Sequence, residues 1–396
     1  MNKSTYLIIT GLLSFDYLTN NFTRFITSDL YLVATMLWAL FGFFYYKGYS
    51  PLYTKKNQIY IYLFFILIFL SQLSPLFKYN QDLISTIIAN RLEYSFIFLL
   101  VLCKIGPTEE DIFHTFKVLG IITLAFGIIA FFCPQWFIDV RHLKGFLYNQ
   151  ARGGYDLLAA CPGAHAAVYY FYILIYKTVT TKAESQKYLF WATIFMIYIF
   201  AIQNRSTLIM AVPSYLYVLM KAQTRYKWII ITIIVAVAGI YVINAFSALI
   251  EESQSQLGDK HYNRWQAVEY YLFERSYGFY DTLFGNGKPS AGSVYLYELV
   301  RASKTRLAFI SDIGLLGTFF FYGLAMMLFI YRFVLAAILR RNMPLYLRLY
   351  ALWVLLVPTI HCFGLGGSCS SMIAFSIFFY NILLYEDRCE RVDNHS

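Results

Sequence analysis

The chain is short of charge. Asp, Glu, Lys and Arg make up 14% of its 396 residues, where a soluble domain carries about a quarter. That shortage excludes an ordinary soluble globular protein. Cysteine is scarce as well: Cys103, Cys133, Cys161, Cys362, Cys369 and Cys389, with no CxxC pair among the six. All lie in or beside apolar stretches, which argues against a disulfide framework and against a zinc site. There is no internal repeat and no low-complexity tract. The two halves lack the matching interrupted helices of an inverted-repeat transporter. The first apolar segment has no small-residue cleavage site after it and reads as a retained helix, not a signal peptide.

What fills the chain is apolar. Hydrophobic residues make up 59% of it and the mean hydropathy is +0.55. They are laid out in runs of 16 to 25 residues, the length that crosses roughly 30 Å of hydrocarbon. A transmembrane barrel would show ten-residue alternation instead. The expected class is an all-α, polytopic integral membrane protein of about twelve spans. They are expected near 5–18, 30–46, 59–77, 87–103, 118–137, 157–176, 188–203, 206–220, 228–246, 307–331, 349–365 and 368–385. This divides the chain into helices over 1–246, a long loop over 247–306, and helices with a tail over 307–396.

Net charge is +10. In a soluble protein that would suggest nucleic acid; here it must be sorted by side. With the N-terminus inside, inner segments hold eighteen Lys and Arg, and the outer side holds seven outside the long loop. That bias puts both termini in the cytoplasm and the long loop outside. No nucleic-acid partner is expected.

The loop Ser247–Arg306 is comparatively polar, with seven basic and seven acidic residues. Its aromatic anchors and the Gly285-Asn286-Gly287 break suit a small soluble lobe. Within it, Arg264–Arg275 reads as an amphipathic helix with Trp265, Val268, Tyr271 and Leu272 on one face. Such a helix lies on a membrane surface or covers a cavity.

Ionisable residues at the spans are one-sided. Asp16, Arg91, Glu93, Arg152, Asp156, His165, Arg205, Arg306, Asp312 and His361 all fall in the expected outer half. Intramembrane ionisable groups are costly and by default mark a site or a wet cavity. Structural readings stand beside that one: Arg91 and Arg152 as interfacial snorkels, His165 and His361 as satisfied core histidines, Asp16 and Asp312 as helix caps. Arg205 is the hardest to dismiss, because a tight turn between two helices holds it. A cationic, outward-opening pocket suits an anionic lipid-linked substrate, since the arginine fork grips phosphate oxygens.

Four segments carry a family resemblance. Gln203-Asn204-Arg205-Ser206-Thr207-Leu208 resembles the hairpin motif of the O-antigen polymerase and ligase superfamily (Wzy-type). Asn263-Arg264-Trp265-Gln266-Ala267 resembles its Arg and Trp near the start of the large loop. Leu283-Phe284-Gly285-Asn286-Gly287 resembles its GxG element, and Asp312-Ile313-Gly314-Leu315-Leu316-Gly317 its Gly-rich helix start. The resemblance implies a GT-C-like glycosyltransferase of the bacterial inner membrane. It would polymerise oligosaccharide units carried on undecaprenyl diphosphate at the periplasmic face. A ligase transferring glycan to lipid A core and a lipid-glycan flippase are the alternatives. Ligases of the superfamily carry a late-loop histidine where this chain has Arg301–Arg306, so polymerase is favoured. The implied catalytic residues are Arg205, Arg264, Arg306 and Asp312. Arg91, Arg152, His261, Glu298 and His361 are the implied substrate-binding residues, with Asp312, Glu298 and His261 the base candidates. No metal or other cofactor is implied. Membrane lipid, a chain-length regulator and a flippase of the same pathway are the expected partners.

Overall fold

The computed structural model describes residues 1–15, 28–132, 163–202, 205–221, 263–274, 278–306, 308, 310, 314–356 and 369–393. Among these residues the regular structure is helical, with no strand. In chain order the helices begin with α1 (Lys3–Ser14), α2 (Ser28–Tyr45), α3 (Lys55–Lys78), α4 (Leu83–Ala89) and α5 (Phe98–Ile105). Then come α6 (Glu109–Phe132), α7 (Ala164–Thr180), α8 (Ser185–Ile202) and α9 (Arg205–Lys221). The remainder are α10 (Asn263–Val268), α11 (Phe279–Phe284), α12 (Val294–Arg306), α13 (Leu315–Leu339), α14 (Leu345–Leu356) and α15 (Cys369–Asp393).

Among the described residues three helices are long and apolar enough to cross a membrane: Lys55–Lys78, Glu109–Ile129 and Leu315–Leu339. The pair Leu83–Ala89 and Glu93–Ile105 makes a fourth if its two arms form one bent span. Leu32–Tyr45 and Leu345–Leu355, where spans were expected, are shorter apolar helices. The expected span 228–246 lies outside the described residues.

The chain divides into two compact units, each assembled from three separate stretches. The first comprises Met1–Tyr31, Glu109–Asp259 and Pro344–Leu356. Its centre is α7. Residues 166–175 of α7 are buried without interruption, because the helix is apolar on every face. Tyr169 stacks on Phe116 of α6 with centroids 4.2 Å apart, and Tyr170 meets Phe195 of α8 edge-on. Trp353 on α14 donates from Nε1 to Thr207 Oγ1 at 3.2 Å, which ties down the first turn of α9.

The second unit comprises Leu32–Thr108, Lys260–Met343 and Val357–Ser396. Rings from four of its elements fill its core: Phe64, Phe96, Phe329, Phe333, Phe375 and Phe379. Phe96 lies 4.1 Å from Phe64 and 5.7 Å from both Phe375 and Phe379, centroid to centroid.

Two helices of this unit are broken. Where a span over 87–103 was expected, Leu83–Ala89 and Glu93–Ile105 form a pair bent by 65°. α4 stops at Ala89, Asn90 caps it, and a 3-10 turn over Glu93–Ile97 leads into α5. The physical cause is local: Asn90 Nδ2 folds back to Thr86 O at 3.0 Å, the competition with backbone pairing that disfavours Asn in helix interiors. The second break is at Gly323 in α13, with φ 71° and ψ −178°. That backbone region is essentially restricted to glycine.

The polar stretch after residue 260 is not set apart from the apolar helices. Residues 285–288 are buried within the unit, against α13 and α3. A Cβ on Gly323 would lie 2.4 Å from Gly285 N and 2.5 Å from Leu283 O, so no side chain fits there. Gly292 has a similar φ of 78° but open space around it. Gly323→Ala should therefore destabilise the solubilised protein by more than the ~1–3 kcal/mol of backbone strain alone. Gly292→Ala should cost only about 1–2 kcal/mol. Thermal unfolding in detergent reads both, and equal losses would mean the contact at Gly323 is not as tight as described.

Candidate functional site

The second unit holds a buried polar cluster at the two breaks. It starts from what a broken helix lacks. Gly323 interrupts the i to i+4 ladder, so the carbonyls just before it lose their amide donors. Two of these, Phe320 O and Phe321 O, accept instead from Asn286 N and Gly287 N, each at 2.8 Å. Asn286 Nδ2 adds a bond to Phe320 O at 3.3 Å. Gly287 rests on α3 beside Pro75, whose ring removes the donor that Ser71 O would otherwise receive. A Cβ on Gly287 would lie 2.6 Å from both the Pro75 ring and Ser71 O.

This docking carries Lys288 inward. Its ammonium pairs with Oε1 of Glu93, the first residue after the bend between α4 and α5. Tyr322, the neighbour of Gly323, donates to the same oxygen at 2.9 Å. Glu93 has no exposed surface. Three segments far apart in sequence thus meet at one carboxylate.

Amides frame the pair. Gln81 grips the segment from both sides: its Oε1 accepts from Ser290 N at 2.9 Å and its Nε2 donates to Lys288 O at 3.4 Å. The same Nε2 reaches Thr86 Oγ1 at 3.0 Å. Gln72 Nε2 donates to Asn90 Oδ1 at 3.2 Å and to Ser71 Oγ at 3.3 Å. The bond from Asn90 Nδ2 to Thr86 O fixes which way both amides face. Gln72 Oε1 is left buried, with no donor to it among the described residues. Such atoms call for an explanation in a native structure.

A second charged contact anchors α11. Asp281 is buried and pairs with Lys78 at the end of α3. It also accepts from Ser74 Oγ and Gly278 N, each at 3.1 Å. Tyr280 donates to Leu70 O at 2.6 Å. Tyr295 donates to Gly287 O at 3.2 Å and stacks on Tyr79 at 4.2 Å, fixing α12 to the same segment. Asp82 caps α4; its bond from Ser85 holds its carboxyl below the usual carboxylate range.

The residues expected from sequence are distributed as follows. Arg264 opens α10 and Arg306 closes α12, both in the second unit, with side chains outside the described set. Tyr271 binds these elements together: its hydroxyl donates to Ala308 O at 3.3 Å and its ring meets Phe320 at 4.9 Å. Glu298 lies half-buried on α12. Arg91 follows the end of α4 and donates from Nη1 to Ile88 O at 3.2 Å. Arg205 opens α9 in the first unit. His165 lies in the first turn of α7, edge-on to Trp353 at 5.8 Å. Asp16, Arg152, Asp156, His261, Asp312 and His361 lie outside the described residues.

One expectation needs correction. The helix over 264–275 is observed as α10 followed by a π-helix over Glu269–Glu274. Its buried positions are Ala267 and Tyr271, while Trp265 is 50% exposed. Of the expected stripe Tyr271 is buried and Trp265 is not, and the π turn after Val268 changes the angular spacing between them.

Lys288, Tyr322, Gln72, Gln81, Asn90 and Asp281 were not singled out from sequence. A signal existed in the polar run Ser71-Gln72-Leu73-Ser74-Pro75 inside an apolar span, and in Lys288 directly after the GxG element. Among the described residues no three His, Cys, Asp or Glu side chains gather to hold a metal ion. No family model, no curated protein and no solved structure matches this chain.

Gln81→Leu keeps the volume but removes both bonds to the segment. It should cost about 1–3 kcal/mol and raise amide exchange at 286–290. Hydrogen exchange of solubilised protein is the measurement; unchanged protection there would show that Gln81 does not hold the segment.

Proposed function

We propose that this protein is a membrane-embedded glycosyltransferase that joins undecaprenyl-diphosphate-linked oligosaccharide units. In that reading it is a surface-polysaccharide polymerase of the inner membrane, with its long loop periplasmic. The carrying observation is convergence. The helical stretch that follows the Arg-Trp motif, the GxG element and the helix after the Gly-rich start meet at Phe320 and Phe321. Tyr271 packs on Phe320, and Asn286 and Gly287 donate to the carbonyls of Phe320 and Phe321.

The chemistry needs two things. An acceptor hydroxyl attacks the anomeric carbon, the bond from that carbon to the phosphate oxygen breaks, and the diphosphate leaves with its charge. Cations aimed at that charge lower the barrier, and Arg264 and Arg306 are assigned this role. A base takes the hydroxyl proton, with Glu298, Asp312 and His261 as candidates. A chain-length regulator and a flippase are the proposed partners.

One observation favours a second reading. Two broken helices with a buried ion pair between them are also the hardware of transporters. Deleting the gene and profiling surface polysaccharide separates the readings. A ladder collapsing to one repeat supports polymerase. Loss of all lipid A-attached repeats supports ligase, and lipid-linked units stranded in the cytoplasmic leaflet support flippase. Arg264→Lys, at matched membrane level, should lose roughly ten- to more than hundredfold in rate, the equivalent of about 1.5–3 kcal/mol for one charge-assisted hydrogen bond. Arg24→Lys is the control, and a full ladder from Arg264→Lys removes Arg264 from the mechanism.

A further inference from the structure

We propose that Glu93 is a binding site for a small monovalent cation, held in exchange for the Lys288 ammonium. This goes beyond glycosyl transfer and stands whether or not the chain transfers sugars.

A buried ion pair is weak support for stability, because desolvation offsets most of its attraction. In an apolar unit it marks an ion or proton site by default. Here all three members sit on interrupted backbone. Glu93 follows the 65° bend, Tyr322 adjoins Gly323, and Lys288 follows a segment with glycines at positive φ. Such backbone can change without unwinding a whole helix. Lys288 is also the partner with a way out: its side chain keeps 11% of its surface exposed, that of Glu93 none.

Charge count and ligand type select the ion. One carboxylate balances one positive charge, and among the described residues it belongs to no group of three or more His, Cys, Asp or Glu. That suits a monovalent ion and not a divalent one. The groups around the break are oxygens: the Glu93 carboxylate, the Tyr322 hydroxyl and the Asn90 amide. Gln72 Oε1, buried on the same network, has no donor among the described residues. The titratable groups against Glu93 include Lys288 from the segment, Tyr322 from α13 and its own neighbour Tyr94. α3 and α15 bring the rings of Phe64, Phe375 and Phe379 against Phe96 beside it. A proton and an alkali ion are both monovalent occupants, so the test must separate them.

The test uses full-length protein in detergent, at constant ionic strength, with lithium, sodium or potassium chloride against choline chloride. Lys288→Met removes the tethered competitor. In choline its unfolding midpoint should fall, and one alkali ion should raise it saturably by at least about 3 °C. If the occupant is the proton, acid should restore it and alkali ions should not. Glu93→Gln combined with Lys288→Met should respond to neither. A Lys288→Met response no larger than that of the double variant overturns the proposal. Where Lys288→Met cannot be recovered from membranes, Ser290→Cys decides. Its maleimide labelling should rise with alkali ion or acid when Glu93 is present and be insensitive with Glu93→Gln. Insensitivity in both backgrounds overturns the proposal.

Discussion

The second unit depends on one constraint: backbone amides and carbonyls withdrawn from water must find partners inside the protein. Gly323 breaks α13 and frees Phe320 O and Phe321 O. Asn286 N and Gly287 N satisfy them, and nothing larger than glycine can come as close as Gly285 does. The break and the docked segment are therefore one feature. Neither is stable in apolar surroundings without the other. Lys288 and Glu93 follow from it, because a segment drawn in to cap carbonyls brings its next side chain with it.

The site is held by short polar reach across long sequence separation. Gln81 stands in for a paired strand, accepting from one backbone amide and donating to a nearby carbonyl of the same segment. Asp281 does the corresponding work one helix earlier, binding Lys78, Ser74 and Gly278 N together. The aromatic pair Tyr79 and Tyr295 closes the third side. This bracing makes the glycine segment a defined element and not a slack loop.

Sequence reading recovered the helical class and apolar spans near 59–77 and 307–331, observed as Lys55–Lys78 and Leu315–Leu339, because hydropathy and helix period are local properties. It marked Gly285-Asn286-Gly287 as an element but not its partner, since pairing with a broken helix has no local signature. Glu93 was noted as an oddity inside an apolar run. Its counter-ion at 288 is 195 residues away, a separation that no periodicity reaches. The bend in the expected span over 87–103 was not foreseen, because apolar content alone does not register the cap that Asn90 supplies. Trp265 was placed on one apolar face with Tyr271 by an α-helical period, and the π turn after Val268 alters that period.

The order in which the chain contributes to its two units has a biosynthetic meaning. The first unit includes Pro344–Leu356, whose Tyr346 meets Phe113, and the second draws on Val357–Ser396, whose α15 packs on α5. Nascent chain emerges from its N-terminus, so for most of synthesis both units exist only as partial helix sets. Until position 288 is translated, Glu93 has no lysine. An acidic group must therefore wait at the edge of an apolar run while 195 of the 396 residues are added. For a nascent membrane chain, the hazardous period is the one before the counter-ion arrives, and any factor that shields the early helices would act then.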